Sequence, residues 1–206
     1  GMEIKLTLNG KPLTAEIDAD TLLIDFVRDH GCLSVKRGCE TANCGLCTVL
    51  LDGTPVLSCS VLAARAAGHH VQTLEGLQEE AEDFVGFIAD QGAEQCGFCN
   101  PGFVMNTIAL LRENPDPTDD EIRAYLAGNL CRCSGYEGQL RGIRAYLDSR
   151  KGDARWRSRI SASPISRCVT RMPCTSCRAR TARWTMRHRG PARVRQRRVP
   201  PRPPRR

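Results

Sequence analysis

The sequence predicts an α+β protein: a small sheet crossed by one helix, then a bundle of four helices, then a disordered basic tail. Three observations carry this reading. Strand-like runs separated by turn dipeptides fill residues 1–74, helical apolar spacing takes over at Glu75, and beyond residue 150 an acidic chain becomes a basic one. The expected divisions are therefore 1–74, 75–150 and 151–206.

Residues 3–8 alternate polar and apolar side chains, as a half-buried strand does. Asn9-Gly10 is a strong hairpin signal, and residues 13–17 supply the returning strand. Asp18-Ala19-Asp20-Thr21 offers N-cap residues to a helix with Leu22, Leu23, Phe26 and Val27 on one face, closed by Gly31. After a cysteine-rich loop, residues 48–51 read as a strand and Asp52-Gly53 as a turn. Val56-Leu57 and residues 71–74 complete the sheet.

Phe84, Phe87 and Ile88 then mark the apolar face of a helix. Asn100 and Pro101 are expected as N-cap and first residue of the next helix, which carries Phe103, Val104, Thr107, Ile108 and Leu111 and ends near Asn114-Pro115. Thr118-Asp119-Asp120-Glu121 is a capping box before a helix with Ile122, Tyr125 and Leu126 inward. Gly128-Asn129 stops that helix, and a last one runs from Tyr136 to Leu147 with Leu140, Ile143 and Leu147 inward.

The formal charge of +7 conceals two different polymers. Residues 1–150 hold 12 Lys/Arg against 22 Asp/Glu, a balance of −10; residues 151–206 hold 18 Lys/Arg against Asp153 alone, a balance of +17. The tail is rich in Arg and Pro and has no apolar periodicity, so no packed core is expected in it. A nucleic-acid-binding arm and a loose zinc knuckle from Cys168, Cys174, Cys177 and His188 are two readings of it. A shifted reading frame of GC-rich DNA explains more of its composition, and nucleic acid is not an expected partner. No apolar leader opens the chain and no run approaches the ~18 apolar residues of a membrane span. A cytoplasmic protein is the expectation.

Twelve cysteines, grouped as C-x-x-C and C-x-C units, indicate metal ligation in a reducing compartment. Four residues separate Cys39 from Cys44, two separate Cys44 from Cys47, and eleven separate Cys47 from Cys59. That is the spacing of a plant-type [2Fe-2S] site, in which one curled loop supplies three of four thiolates. Gly38 and Gly45 are expected to provide the backbone angles of the curl. Its N–H groups then point at sulfur and stabilise negative charge. Structural zinc is the alternative, but its ligands usually come as two separated C-x2–4-C knuckles.

Cys96-x2-Cys99 and Cys131-x-Cys133 provide four further thiols at two helix ends. The single residue between Cys131 and Cys133 suggests that these two share one iron. Cys32 is read as a core thiol, and His30, His69, His70 and His188 as surface or loop residues. Arg132, between two ligands, is read as tuning a centre, as pairing with a cofactor phosphate, or as an ordinary surface ion pair.

The stretches GCETANCGLCTV at 38–49, Cys59, QCGFCNPGF at 95–103 and GNLCRCSGY at 128–136 resemble the small iron–sulfur subunit of the molybdenum hydroxylases, the xanthine dehydrogenase family. Asn100, where Thr is common, and the Thr41-Ala42-Asn43 filling of the first loop are the departures. The resemblance covers about residues 3–148 and implies an electron relay that is not catalytic alone. It implies a ferredoxin-like β-grasp domain and a four-helix-bundle domain, each with one [2Fe-2S] cluster. It places Cys39, Cys44, Cys47 and Cys59 on the cluster facing flavin, and Cys96, Cys99, Cys131 and Cys133 on the cluster nearer molybdenum. Gln95 and Cys133 would lie close to the pterin. Molybdopterin and FAD would reside in a large and a medium partner subunit, in a heterotrimer or a dimer of heterotrimers. Two other classes stand beside this one: a free-standing ferredoxin-like carrier, and a zinc-stabilised nucleic-acid binder.

Overall fold

The computed structural model describes residues 1–151; the tail, with Cys168, Cys174, Cys177 and His188, lies outside the described residues. β1 (Met2–Leu8) and β2 (Lys11–Ile17) form an antiparallel hairpin. At its tip Asn9 and Gly10 have φ of 50° and 79°, the doubly left-handed pattern that matches the twist of paired strands. Asp52 and Gly53 repeat it, at 49° and 81°, between β3 (Thr48–Leu51) and β4 (Thr54–Leu57). β5 (His70–Gln72) joins the two hairpins, parallel to β1 and antiparallel to β3, in a sheet of order β2-β1-β5-β3-β4.

β5 is shorter than the expected strand at 71–74. Thr73 bonds to a side chain instead of a strand: its N–H donates to Asn9 Oδ1 at 2.8 Å and its hydroxyl accepts from Asn9 Nδ2 at 2.9 Å. The chain then turns into a 3₁₀ helix at Leu74–Gly76.

α1 (Leu23–Asp29) crosses one face of the sheet and buries Leu23, Ile24, Phe26 and Val27 against Ile4, Leu6, Val49 and Val71. The caps expected at 18–21 do not act. Leu22 is the N-cap and bonds as an isolated bridge to Leu62, while the Leu23 N–H donates to Val61 O at 2.7 Å. A passing backbone segment satisfies the helix start, so no capping side chain is needed.

α2 (Gln78–Asp90), α3 (Asn100–Glu113), α4 (Asp119–Leu126) and α5 (Glu137–Arg150) surround a second core containing Phe84, Ile88, Phe103, Ile108, Ile143 and Leu147. Leu50 of β3 belongs to this core, whereas its neighbour Val49 belongs to the core under α1. β3 is thus buried on both faces, which is why its sequence is an unbroken apolar run. α2 and α5 approach closely at Gly142, where a Cβ would lie 2.5 Å from Ile88 Cδ1 and 3.1 Å from Phe87 O. Tyr146 of α5 meets Phe84 and Phe87 of α2 edge-on, with ring centroids 5.5 and 5.6 Å apart.

The Thr118–Glu121 capping box forms as expected. The start of α3 does not: Cys99, in helical geometry, is the N-cap, and Asn100 is the first helical residue. The Asn100 amide instead donates to Glu94 Oε1 at 3.1 Å. Among the described residues no helix is long and apolar enough to cross a membrane.

Candidate metal centres

Cys39, Cys44 and Cys47 lie on the loop between α1 and β3, and Cys59 on the 3₁₀ turn Ser58–Ser60 after β4. The turn is drawn back to the loop through Ser58, whose N–H and hydroxyl donate to Cys47 O at 3.2 and 2.6 Å. Gly45 has φ of +74°, as the expected curl requires. Gly38 does not adopt a left-handed conformation. It is needed for space, since a Cβ there would sit 2.7 Å from Leu46 Cδ2 and 3.4 Å from Cys44 Sγ. The second left-handed residue of the loop is Ala42, at φ 53°.

The backbone amides of Asn43 and Thr41 bond to Cys39 and bring its thiol down to about 6. Burial pushes Cys59 up to about 12, reinforced by the adjoining Cys47 thiol, and burial also raises Cys44. Cys44 and Cys47 are buried, Cys39 and Cys59 partly so.

Cys96 and Cys99 occupy the turn before α3; Cys131 and Cys133 occupy the loop between α4 and α5. Gln95 Nε2 donates to Cys133 O at 3.1 Å, so these two predicted residues do meet. Ser134 N–H donates to Cys131 Sγ at 3.3 Å, and Cys131 N–H donates to the Tyr136 hydroxyl at 3.1 Å. The Phe98 amide, followed by the Cys133 thiol, lowers Cys96. Burial, with Cys131 beside it, raises Cys99 to about 12. Cys96 and Cys133 are exposed.

Among the described residues no three or more His, Cys, Asp or Glu side chains converge as ligands of a single ion. The sulfurs meet in pairs: Cys39 with Cys44, Cys47 with Cys59, Cys99 with Cys131, and Cys96 with Cys133 at 3.6 Å. Cys131 meets Cys99, and Cys133 meets Cys96.

This donor set fits two [2Fe-2S] clusters. Each group has two thiol pairs, the four sulfurs that such a cluster would need. Amides of residues 41 and 43 reach Cys39, that of Leu46 reaches Cys44, that of Phe98 reaches Cys96 and that of Ser134 reaches Cys131.

The two cysteine loops touch. Leu130 N–H donates to Cys44 O at 2.9 Å. Asn129 Nδ2 donates to Gly45 O at 3.3 Å, and Asn129 Oδ1 accepts from Asn106 Nδ2 at 2.6 Å. Lys36 also spans the loops, its ammonium 4.9 Å from the Phe98 ring centroid. Asn106 and Lys36 carry no signal in the sequence, and Asn129, though it falls within the GNLCRCSGY stretch, reads there only as part of a helix stop. Cys32 is buried in the core under α1, as expected, and His69 pairs with Asp52 at the surface. Arg132, between the two cysteines, is exposed.

The paired thiols, met by amides on a small mixed sheet and at helix ends, define a protein built for thiolate-bound metal. Residues 6–74 match the 2Fe-2S iron-sulfur cluster binding domain family, and residues 73–144 match the [2Fe-2S] binding domain family. The nicotinate dehydrogenase small FeS subunit of Eubacterium barkeri is 43% identical over 136 residues, covering 65% of this chain and 87% of that one. The xanthine dehydrogenase iron-sulfur-binding subunit of Escherichia coli O157:H7 is 48% identical over 139 residues, covering 65% and 87%. A chain of the crystal structure of quinoline 2-oxidoreductase from Pseudomonas putida 86 superposes with a TM-score of 0.67 at 39% identity, covering 73% of this chain and 97% of that one. The chain belongs to the small iron–sulfur subunits of the xanthine dehydrogenase, or molybdenum hydroxylase, family. It is an electron-transfer subunit of an oxidoreductase with two 2Fe-2S domains.

Proposed function

We propose that Cys39, Cys44, Cys47 and Cys59 hold one [2Fe-2S] cluster, in a β-grasp domain ending near residue 74, and that Cys96, Cys99, Cys131 and Cys133 hold the other, in a four-helix bundle of residues 75–150. The observation that carries this is the meeting of eight thiols as four pairs in two groups. Each cluster takes up and returns one electron at a time, and the amides aimed at sulfur and the differing exposure of the two groups tune the two potentials apart.

The chain relays single electrons between a molybdopterin-bearing large subunit and an FAD-bearing medium subunit, in a heterotrimer or a dimer of heterotrimers. The exposed group at Cys96 and Cys133 faces the molybdopterin subunit, with Gln95 and Cys133 nearest the pterin, and the Cys39 group serves the flavin side. Support for partners comes from the relatives, which are named as subunits of dehydrogenases. Reduced thiols as ligands suit the cytoplasm.

Two substitutions test the ligand sets. In the dithionite-reduced protein, Cys44→Ser removes one of two distinguishable paramagnetic signals and Cys99→Ser removes the other. Survival of both signals in either variant contradicts the assignment.

A further inference from the structure

We propose that Asn129, together with Asn106, is the positioning element that locks the two cysteine loops against each other and thereby sets the electronic coupling between the two centres. This rests on the two thiol groups being the cluster sites.

The contact between the loops is short in terms of chain. Leu130 N–H donates to the carbonyl of Cys44 at 2.9 Å, and the next residue is Cys131. One hydrogen bond and the single residue Leu130 therefore separate the backbone of Cys44 in one group from that of Cys131 in the other. Electron exchange through protein falls steeply with every added gap, so the rate depends on keeping this bond closed.

A lone backbone bond between loops distant in sequence is weak, because opening it exchanges it for bonds to water. Asn129 reinforces it one residue away. The side chain, 6% exposed, uses both ends of its amide: Nδ2 donates to Gly45 O at 3.3 Å and Oδ1 accepts from Asn106 Nδ2 at 2.6 Å. Asn106 Nδ2 also reaches Thr48 Oγ1 at 3.3 Å, and the Thr48 hydroxyl donates to Gly45 O at 2.7 Å. The result is a closed polar ring about the Gly45 carbonyl, inside the C-x-x-C unit of the first group. In a buried ring, breaking one member leaves the others unsatisfied, so the ring resists opening as a whole.

Sterics hold the same register. A Cβ on Gly45 would lie 2.6 Å from Asn129 Nδ2 and 2.6 Å from Gly128 O, and one on Gly102 would lie 2.3 Å from Gly45 O. The loops cannot slide without collision, and they cannot part without orphaning an amide. Only a side chain that donates and accepts from one planar group fills the role. Asn129→Leu keeps the size and loses both bonds.

The test uses the full chain with both clusters. Iron content, the line shape of each paramagnetic centre, the magnetic interaction between them at full reduction, and electron equilibration after flash injection of one electron are measured. Asn129→Leu is expected to keep its iron and both line shapes, to lose part of the magnetic interaction and to slow equilibration. Fully loaded Asn129→Leu with wild-type interaction and rate overturns the proposal. Should Asn129→Leu lose iron, Asn106→Leu decides, because it leaves the Asn129–Gly45 contact and both cysteine loops unmutated: a weaker interaction and slower equilibration support the proposal, and unchanged values overturn it. Wild-type protein without two iron-based signals overturns the cluster reading itself, a different result from either variant outcome.

Discussion

Glu75 shows how a single residue ties the loop after α1 to the end of the sheet. Its carboxylate accepts from the Ser34 N–H and hydroxyl, at 2.8 and 2.7 Å, and from the Thr73 hydroxyl at 2.5 Å. Burial pushes this carboxyl up, but the Thr73 and Ser34 hydroxyls and the Ser34 amide outweigh it and hold it below its ordinary value of 4.5. A depressed acid stabilises the folded state above its unfolded pKa, and that contribution disappears as pH falls through the folded pKa. Glu75→Gln is therefore expected to lower stability at pH 7 by about 1 kcal/mol, at the low end because the site is only half buried. The penalty should shrink toward zero below about pH 4. Denaturation followed by circular dichroism across that range checks the sign; a penalty that grows in acid contradicts it. At this scale the sequence shows the cysteines plainly, because ligand spacing is a local property. The role of Asn129 is invisible in it, because its bond to Gly45 spans 84 residues and an amide can serve many roles.

Elements were legible where local chemistry decides them and obscure where a neighbour decides them. The Thr118–Glu121 box and both left-handed hairpin turns follow from adjacent residues and form as read. The start of α1 is satisfied by residues 61 and 62 instead of its own polar residues, and the Asn100 amide turns to Glu94 instead of capping α3. The α2–α5 contact is another nonlocal feature, and two glycines separate its meaning. Gly142 faces Ile88 and Phe87 with no room for a Cβ, so Gly142→Val should cost about 1–3 kcal/mol by overpacking. Gly86, on exposed α2 surface with nothing within 4 Å, should gain roughly 0.5–1 kcal/mol as Gly86→Ala. Thermal melting of the two variants reads both signs. Equal shifts in the same direction contradict the close packing of these helices.

For the whole molecule, the order of elements and the change of character near residue 75 can be read directly, but the joining of the two halves cannot. β3 sends Val49 into one core and Leu50 into the other, and the first cysteine loop leans on Gly102, Gly128 and Asn129 of the helical half. A strand with two buried faces looks in sequence like any apolar run, so its role as the shared wall emerges only from the fold. The consequence is functional: two cysteine loops that belong to separate sequence motifs are joined by the bond from Leu130 N–H to Cys44 O. The most direct test is iron and acid-labile sulfide analysis of the full chain purified without oxygen. The account predicts about four irons and about four sulfides per chain. Zinc in place of iron, iron without sulfide, or half that amount with both cysteine groups intact would contradict it.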